Sequence, residues 1–276
     1  MQKVIIKLIG FYVNLIALFT PTKAAQIAID IFATPRKGKP TEGQKQFLDS
    51  AEKNQITFDD LSLMTYHWRG EKETILLAHG WESNAARWKA LIQILKKLKY
   101  NIVAIDAPAH GMSDGQSFNA ILYASCLEVA VSTYSPDIII GHSVGGMASV
   151  FLVHEHGQQS LKKLVLLGAP AHFQGVLERY IDLMGFNNRT FRAIEKFILT
   201  KYGHEPRYFS AADFTESFNI KGLVLHDEQD RIIPYEDALL YEKSYKSSQL
   251  ISTQGLGHSL RDKNVYSSII DFIESP

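Results

Sequence analysis

The chemistry-bearing residues centre on the stretch Ile138-Ile139-Ile140-Gly141-His142-Ser143-Val144-Gly145-Gly146, an apolar run that enters Gly-x-Ser-x-Gly and leaves through an apolar helical pattern. A serine held between a buried strand and a helix sits on a nucleophile elbow, a sharp turn that projects its hydroxyl. Gly141 and Gly145 leave room for strand and helix to approach. A serine hydroxyl is a weak nucleophile at neutral pH, so acyl transfer requires a base to take its proton and a carboxylate to orient that base. Downstream, an apolar run is followed by Asp227-Glu228-Gln229-Asp230-Arg231, and Asp230 is the preferred acid, with Asp227 and Glu228 as alternatives. Gly255-Leu256-Gly257-His258 follows the last apolar run and offers His258 as the base. Charge developing on an acyl oxygen needs N–H donors. The expected oxyanion hole pairs the amide of Val144, directly after the serine, with that of Trp81 in the loop His79-Gly80-Trp81-Glu82.

These side chains converge only if the elements between them bring several loops to one edge. Short apolar runs at 75–78, 102–105, 138–140, 164–167, 223–225 and 250–251 lack polar alternation, as expected of strands buried on both faces of a parallel sheet. Helical patterns separate them; one places Trp88, Leu91, Ile92, Leu95 and Leu98 on one stripe with lysines opposite. The expected fold class is α/β, with a mainly parallel central sheet flanked by helices and ligands bound at the carboxyl ends of the strands. An irregular helical, aromatic-rich stretch at about 171–219 reads as an inserted helical cap. Its aromatics either wall an apolar pocket or pack the cap's own small core.

Taken together, His79-Gly80-Trp81, Asp106-Ala107-Pro108-Ala109-His110-Gly111-Met112-Ser113, the Gly141–Gly145 elbow, Asp230 before Ile232-Ile233-Pro234, and Gly257-His258 resemble the α/β-hydrolase superfamily in kind and in order. The resemblance runs from about residue 61 to the C-terminus, and the early loop is similar to that of small capped carboxylesterases. It implies serine-hydrolase chemistry on a small acyl substrate through an acyl-enzyme, without a cofactor. Ala109 departs from the glycine that the family often carries in that loop. A lipase or thioesterase working at a membrane surface, and a non-catalytic ligand-binding protein on the same scaffold, are the alternatives.

Lys plus Arg and Asp plus Glu balance at 29 each in the 276 residues, leaving no field to collect nucleic acid. His154-Glu155-His156 does not make a metal site, because residues two apart on a helix do not share a face. The single cysteine, Cys126, excludes an internal disulfide and suits a reducing, cytoplasmic setting. Residues 1–45 are expected to form an apolar helix and a basic linker ahead of a hydrolase domain at 46–276. The opening is interrupted by Lys7 and Asn14 and ends at Pro21, which disfavours both a secretory signal and a membrane span. The remaining reading is a helix that packs on the protein or lies on a membrane surface, with Lys3 and Lys7 reaching toward headgroups.

Overall fold

The computed structural model describes residues 2–158 and 160–276; the side chains of Gln2 and Lys3 are outside that description. In chain order the elements are α1 (Gln2–Phe19), α2 (Pro21–Ala33), α3 (Glu42–Leu48), β1 (Glu52–Phe58), β2 (Leu61–Trp68), β3 (Thr74–Ala78), α4 (Lys89–Lys97), β4 (Asn101–Ile105), α5 (Ala120–Tyr134), β5 (Ile138–His142), α6 (Val144–His156) and β6 (Lys163–Leu167). They continue with α7 (Phe173–Met184), α8 (Asn188–Tyr202), α9 (Ala211–Phe214), β7 (Lys221–Asp227), α10 (Glu236–Ser244), β8 (Ser248–Thr253) and α11 (Lys263–Glu274). Two compact units result. One combines the described residues up to Thr34 with His172–Ser210, and the other combines Pro35–Ala171 with Ala211–Pro276.

The second unit is built on an eight-stranded sheet of order β1-β2-β4-β3-β5-β6-β7-β8. The pairings from β4 to β8 are parallel, and β2 runs opposite to both its neighbours. The six apolar runs of the sequence are β3 to β8. Alternate residues such as Ile75 and Leu77, Ile138 and Ile140, and Leu223 and Leu225 join Leu91 and Leu95 of α4 and Ile269 and Phe272 of α11 in one core. The intervening residues Leu76, Ile139, Leu166 and Val224 are buried as well, so both faces are covered. Helix α6 is buried continuously from Gly145 to Val153, the signature of a helix enclosed on all sides. Strand order reverses around β3 and β5, and the crevice at such a switch point is where open sheets bind ligands.

The basic linker expected within residues 1–45, Thr-Pro-Arg-Lys-Gly-Lys-Pro-Thr at 34–41, enters this unit at Pro35 and is bonded into its loops. Arg36 N donates to Glu82 Oε1 at 2.9 Å, and the Gly38 carbonyl accepts from Asn84 Nδ2 at 3.1 Å and from Gly111 N at 3.2 Å. Residues 211–219 also lie here, where Phe214 of α9 stacks on His154 at 3.8 Å.

The first unit consists of α1 and α2 packed with α7 and α8. Gly10 permits the approach of α1 to α7, because a Cβ at that position would stand 1.9 Å from the Met184 carbonyl oxygen. Two polar side chains of α1, Lys7 and Asn14, turn inward. Lys7 Nζ donates to the Asp182 carbonyl at 2.7 Å, and Asn14 donates to the Gly185 carbonyl at 2.9 Å while accepting from Thr190 Oγ1 at 2.8 Å. Arg189 Nε returns to the Ala17 carbonyl at 2.8 Å. Phe32 of α2 packs against Tyr180 at 4.8 Å and Phe173 at 6.2 Å, and Tyr180 meets Phe186, so these aromatics fill the unit's own core.

Candidate active site

The site assembles from loops at the carboxyl ends of β3, β5, β7 and β8. Ser143 follows β5 with φ 54° and ψ −127°, a conformation that costs an L-residue on the order of 1–3 kcal/mol. The surroundings enforce it. Ser143 N donates to the Leu167 carbonyl at 2.8 Å, and its own carbonyl accepts from Gly146 N at 2.9 Å. Each glycine of the motif is explained by contact distance: a Cβ on Gly141 would meet Gly146 Cα at 2.5 Å, and one on Gly145 would meet the Ala78 carbonyl oxygen at 2.4 Å. Gly80 passes directly over the elbow, where a Cβ would lie 2.8 Å from Ser143 Cβ.

The structure brings Ser143, His258 and Asp230 together. His258 Nε2 lies 3.0 Å from Ser143 Oγ, and His258 Nδ1 lies 2.7 Å from Asp230 Oδ2. Asp230 Oδ1 accepts from Ile232 N at 2.8 Å and Ile233 N at 3.1 Å. Burial pushes this carboxyl up, but the bonds from His258 and the two amides outweigh burial and hold it below the usual carboxylate range. An ionised Asp230 accepts only, so the His258 proton resides on Nδ1 and a lone pair on Nε2 faces the serine. The other two acids sit elsewhere. Asp227 binds Thr253 Oγ1 and Leu256 N at 2.8 and 2.9 Å, bracing the loop that carries His258, and Glu228 reaches Gln254 on the exposed side.

Of the two residues expected to supply the oxyanion donors, Trp81 lies in the loop after β3 and Val144 directly follows Ser143. Among the described residues neither backbone N–H has an acceptor within the chain. Val144 is the first residue of α6, where helical N–H groups are unpaired by construction. His79 orients the other: its Nδ1–H donates to the Gly80 carbonyl at 2.8 Å. Across a planar trans peptide the Trp81 N–H points away from that carbonyl, and hence away from His79. The Trp81 ring packs against His110 at 5.8 Å and Phe118 at 5.7 Å.

Several shaping residues are not evident from sequence motifs alone. Asp106, fully buried at the end of β4, accepts from Ala85 N at 2.8 Å, Met112 N at 2.9 Å and Tyr66 Oη at 3.0 Å, tying three segments to one carboxylate. Its burial raises its pKa, opposed by those donors. His79 Nε2 accepts from Ala107 N, and His110 Nε2 accepts from Glu82 N while its Nδ1–H donates to Pro108. His142 Nε2–H donates to the His258 carbonyl at 2.8 Å, fixing the backbone that carries the base. Desolvation drives His79 down to about 3 and His142 well below the ordinary imidazole value, so both stay neutral; His79 serves as one donor plus one acceptor, and His142 as a donor. Their sequence signal was position alone: each lies beside a strand end that carries a site residue.

Ala109 takes φ 64°, a left-handed conformation that favours glycine, which accounts for the residue expected there from the family resemblance. A depression of about 750 Å³ lies at the opposite, amino ends of the strands and holds none of these residues. Several of its charges are already paired within the fold: Lys162 with Asp137 at 2.7 Å, Lys72 with Glu274 at 3.0 Å, and Lys163 with the carbonyls ending α11.

A mainly parallel sheet with a serine on the turn after its central strand defines a protein of the hydrolase class. The family model described as alpha/beta hydrolase fold matches residues 73–187. A non-heme haloperoxidase from Rhodococcus erythropolis is 25% identical over 272 residues, covering 80% of this chain and 99% of that relative. Among solved structures, an esterase from Exiguobacterium antarcticum superposes with a TM-score of 0.65 at 16% identity, over 81% of this chain and 100% of that one. Est1E from Butyrivibrio proteoclasticus, solved with ferulic acid, gives 0.67 at 18% identity, over 80% and 97%. The chain has the α/β-hydrolase fold, and the family model and the relatives that it matches are those of the α/β-hydrolase superfamily.

Proposed function

We infer that the protein is a serine hydrolase that cleaves a carboxylic ester or related acyl bond of a small substrate through an acyl-enzyme. The observation that carries this reading is the relay from Asp230 through His258 to Ser143, with contacts of 2.7 and 3.0 Å, on a serine held at positive φ. Ser143 Oγ attacks the acyl carbon as its proton passes to His258 Nε2, and the oxyanion forms against the Val144 and Trp81 amides. Asp230 stabilises the imidazolium. Collapse of the intermediate expels the alcohol, which takes the proton from His258. Water, deprotonated by the same nitrogen, then attacks the acyl carbon and releases the acid and Ser143. No step calls for a metal or cofactor.

The name of the Rhodococcus relative favours a second acceptor for the acyl group: hydrogen peroxide in place of water would yield a peracid from the same intermediate. The test is labelling with a fluorophosphonate and turnover of a chain-length series of p-nitrophenyl esters, by wild type and Ser143→Ala, with and without peroxide. Ser143-dependent labelling and turnover are expected. Folded wild-type protein that neither labels nor turns over any ester would overturn the reading in favour of a binding protein. Peroxide-dependent peracid formation decides the second acceptor.

A further inference from the structure

Helix α1 is inside out for a helix at a water-facing surface. Among the described side chains of α1 the charged and amide ones, Lys7 and Asn14, bond inward to carbonyls of the α7–α8 region, and its buried face is made of Gly10, Val13 and Ala17. The outward face is a continuous row at helical spacing that includes Val4, Leu8, Phe11, Leu15, Leu18 and Phe19, from 43% (Leu15) to 85% (Phe19) exposed. Eighteen residues make this row roughly 27 Å long. Isolated exposed apolar residues are ordinary, but an unbroken apolar face marks an interaction surface.

Charge selects the occupant. The chain carries Lys3, Lys7 and Lys23 but no acidic residue before Asp30, and the whole helical unit holds nine Lys and Arg against five Asp and Glu although the full chain balances. Lys7 and Arg189 lie exposed beside the two ends of the row, each spending only part of its donor capacity on a carbonyl. A second copy would set α1 against α1 with lysines and no acid on either side of a two-fold contact, which repels. Anionic lipid complements both features, accepting the apolar row below the headgroups and the basic rim at the phosphates. Among the described residues no helix is long and apolar enough to cross a membrane, which fits a helix lying in the surface plane. We propose that α1 docks the helical unit on an anionic phospholipid surface.

This proposal stands apart from the hydrolase reading, and its test needs no turnover. The full chain is floated with vesicles of phosphatidylcholine and of phosphatidylcholine with phosphatidylglycerol, beside the variants Leu8→Glu/Phe11→Glu/Leu15→Glu and Leu8→Ser/Leu15→Ser. Light scattering gives the mass of each protein and circular dichroism its melting curve. The expected result is wild-type flotation that is stronger on the anionic vesicles and weakens with salt. The triple variant should partition at least about tenfold less with an unchanged melt, because each substituted side chain faces solvent. The serine variant should fall between. Wild type that stays with neither vesicle, or variants that float as well as wild type, would overturn the proposal. So would a wild-type dimer that the variants dissociate in the absence of flotation, which assigns the face to a second copy.

Discussion

Replacing Asp230 by Asn is the sharpest probe of the relay, because it preserves shape and removes only charge. The amides of Ile232 and Ile233 both donate to Oδ1, so in the variant they hold the amide oxygen and turn the NH2 toward His258. A donor there forces His258 to accept at Nδ1, which moves its proton to Nε2 and removes the lone pair facing Ser143. In wild type the transition state places an imidazolium against a buried carboxylate across a 2.7 Å contact. At a centre-to-centre separation of roughly 4 Å and an effective dielectric near 20, the lost attraction is about 4 kcal/mol. Adding the tautomer penalty, a fall in kcat of about 10³–10⁴ is expected. KM should change little, since Asp230 lies behind the base. The assay is steady-state hydrolysis of the best p-nitrophenyl ester, with fluorophosphonate labelling rates and a thermal melt for the same preparations. A folded variant that loses less than about thirtyfold would refute the assignment and point to Asp227 or Glu228 as the acid.

Asp106→Ala leaves three donors without an acceptor, two backbone amides and the Tyr66 hydroxyl. It should destabilise by about 3–5 kcal/mol in urea unfolding. Ala109→Gly relieves the positive φ at that position at the cost of a more flexible unfolded chain, and a gain of up to about 1 kcal/mol is expected by the same measurement. Asp227 and Asp230 are both held below the ordinary carboxylate range. Their contribution to stability is therefore present above the unfolded value of about 3.9 and lost as pH falls through the lower native values. Urea midpoints should drop on the acid side of about pH 4, and the drop should be smaller in Asp230→Asn.

Six of the eight strands were legible in sequence, β3 to β7 because a parallel strand covered on both faces must be apolar throughout, and the edge strand β8 only through Leu250-Ile251. The β1–β2 hairpin was not: β1 reads Glu-Lys-Asn-Gln-Ile-Thr-Phe and buries only Ile56, since it forms the sheet edge. The elbow and His258 announce themselves through glycine placement and chain order. Asp230 is preferred in the sequence by its place before Ile232-Ile233-Pro234 with Asp227 and Glu228 left as alternatives, and the geometry separates them: Asp227 faces the Thr253–Leu256 turn while Asp230 meets His258. Least visible was the partnership of α1 and α2 with α7 and α8. Gly10 and Asn14 gain their meaning from Met184, Gly185 and Thr190, and no local pattern spans that separation.

That partnership also imposes an order on synthesis. The first 34 residues leave the ribosome about 140 residues ahead of the segment they pack against. At about 5–20 residues per second, they wait on the order of 7–30 s with one flank of each helix unfilled. During that interval α1 exposes both its outward apolar row and its Gly10–Val13–Ala17 face, a nascent segment that chaperones or targeting machinery can capture before α7 exists. A shortened recombinant chain beginning near Pro35 would spare this hazard but strip α7 and α8 of the surface that encloses Tyr180 and Thr190, exchanging a transient exposure for a permanent one.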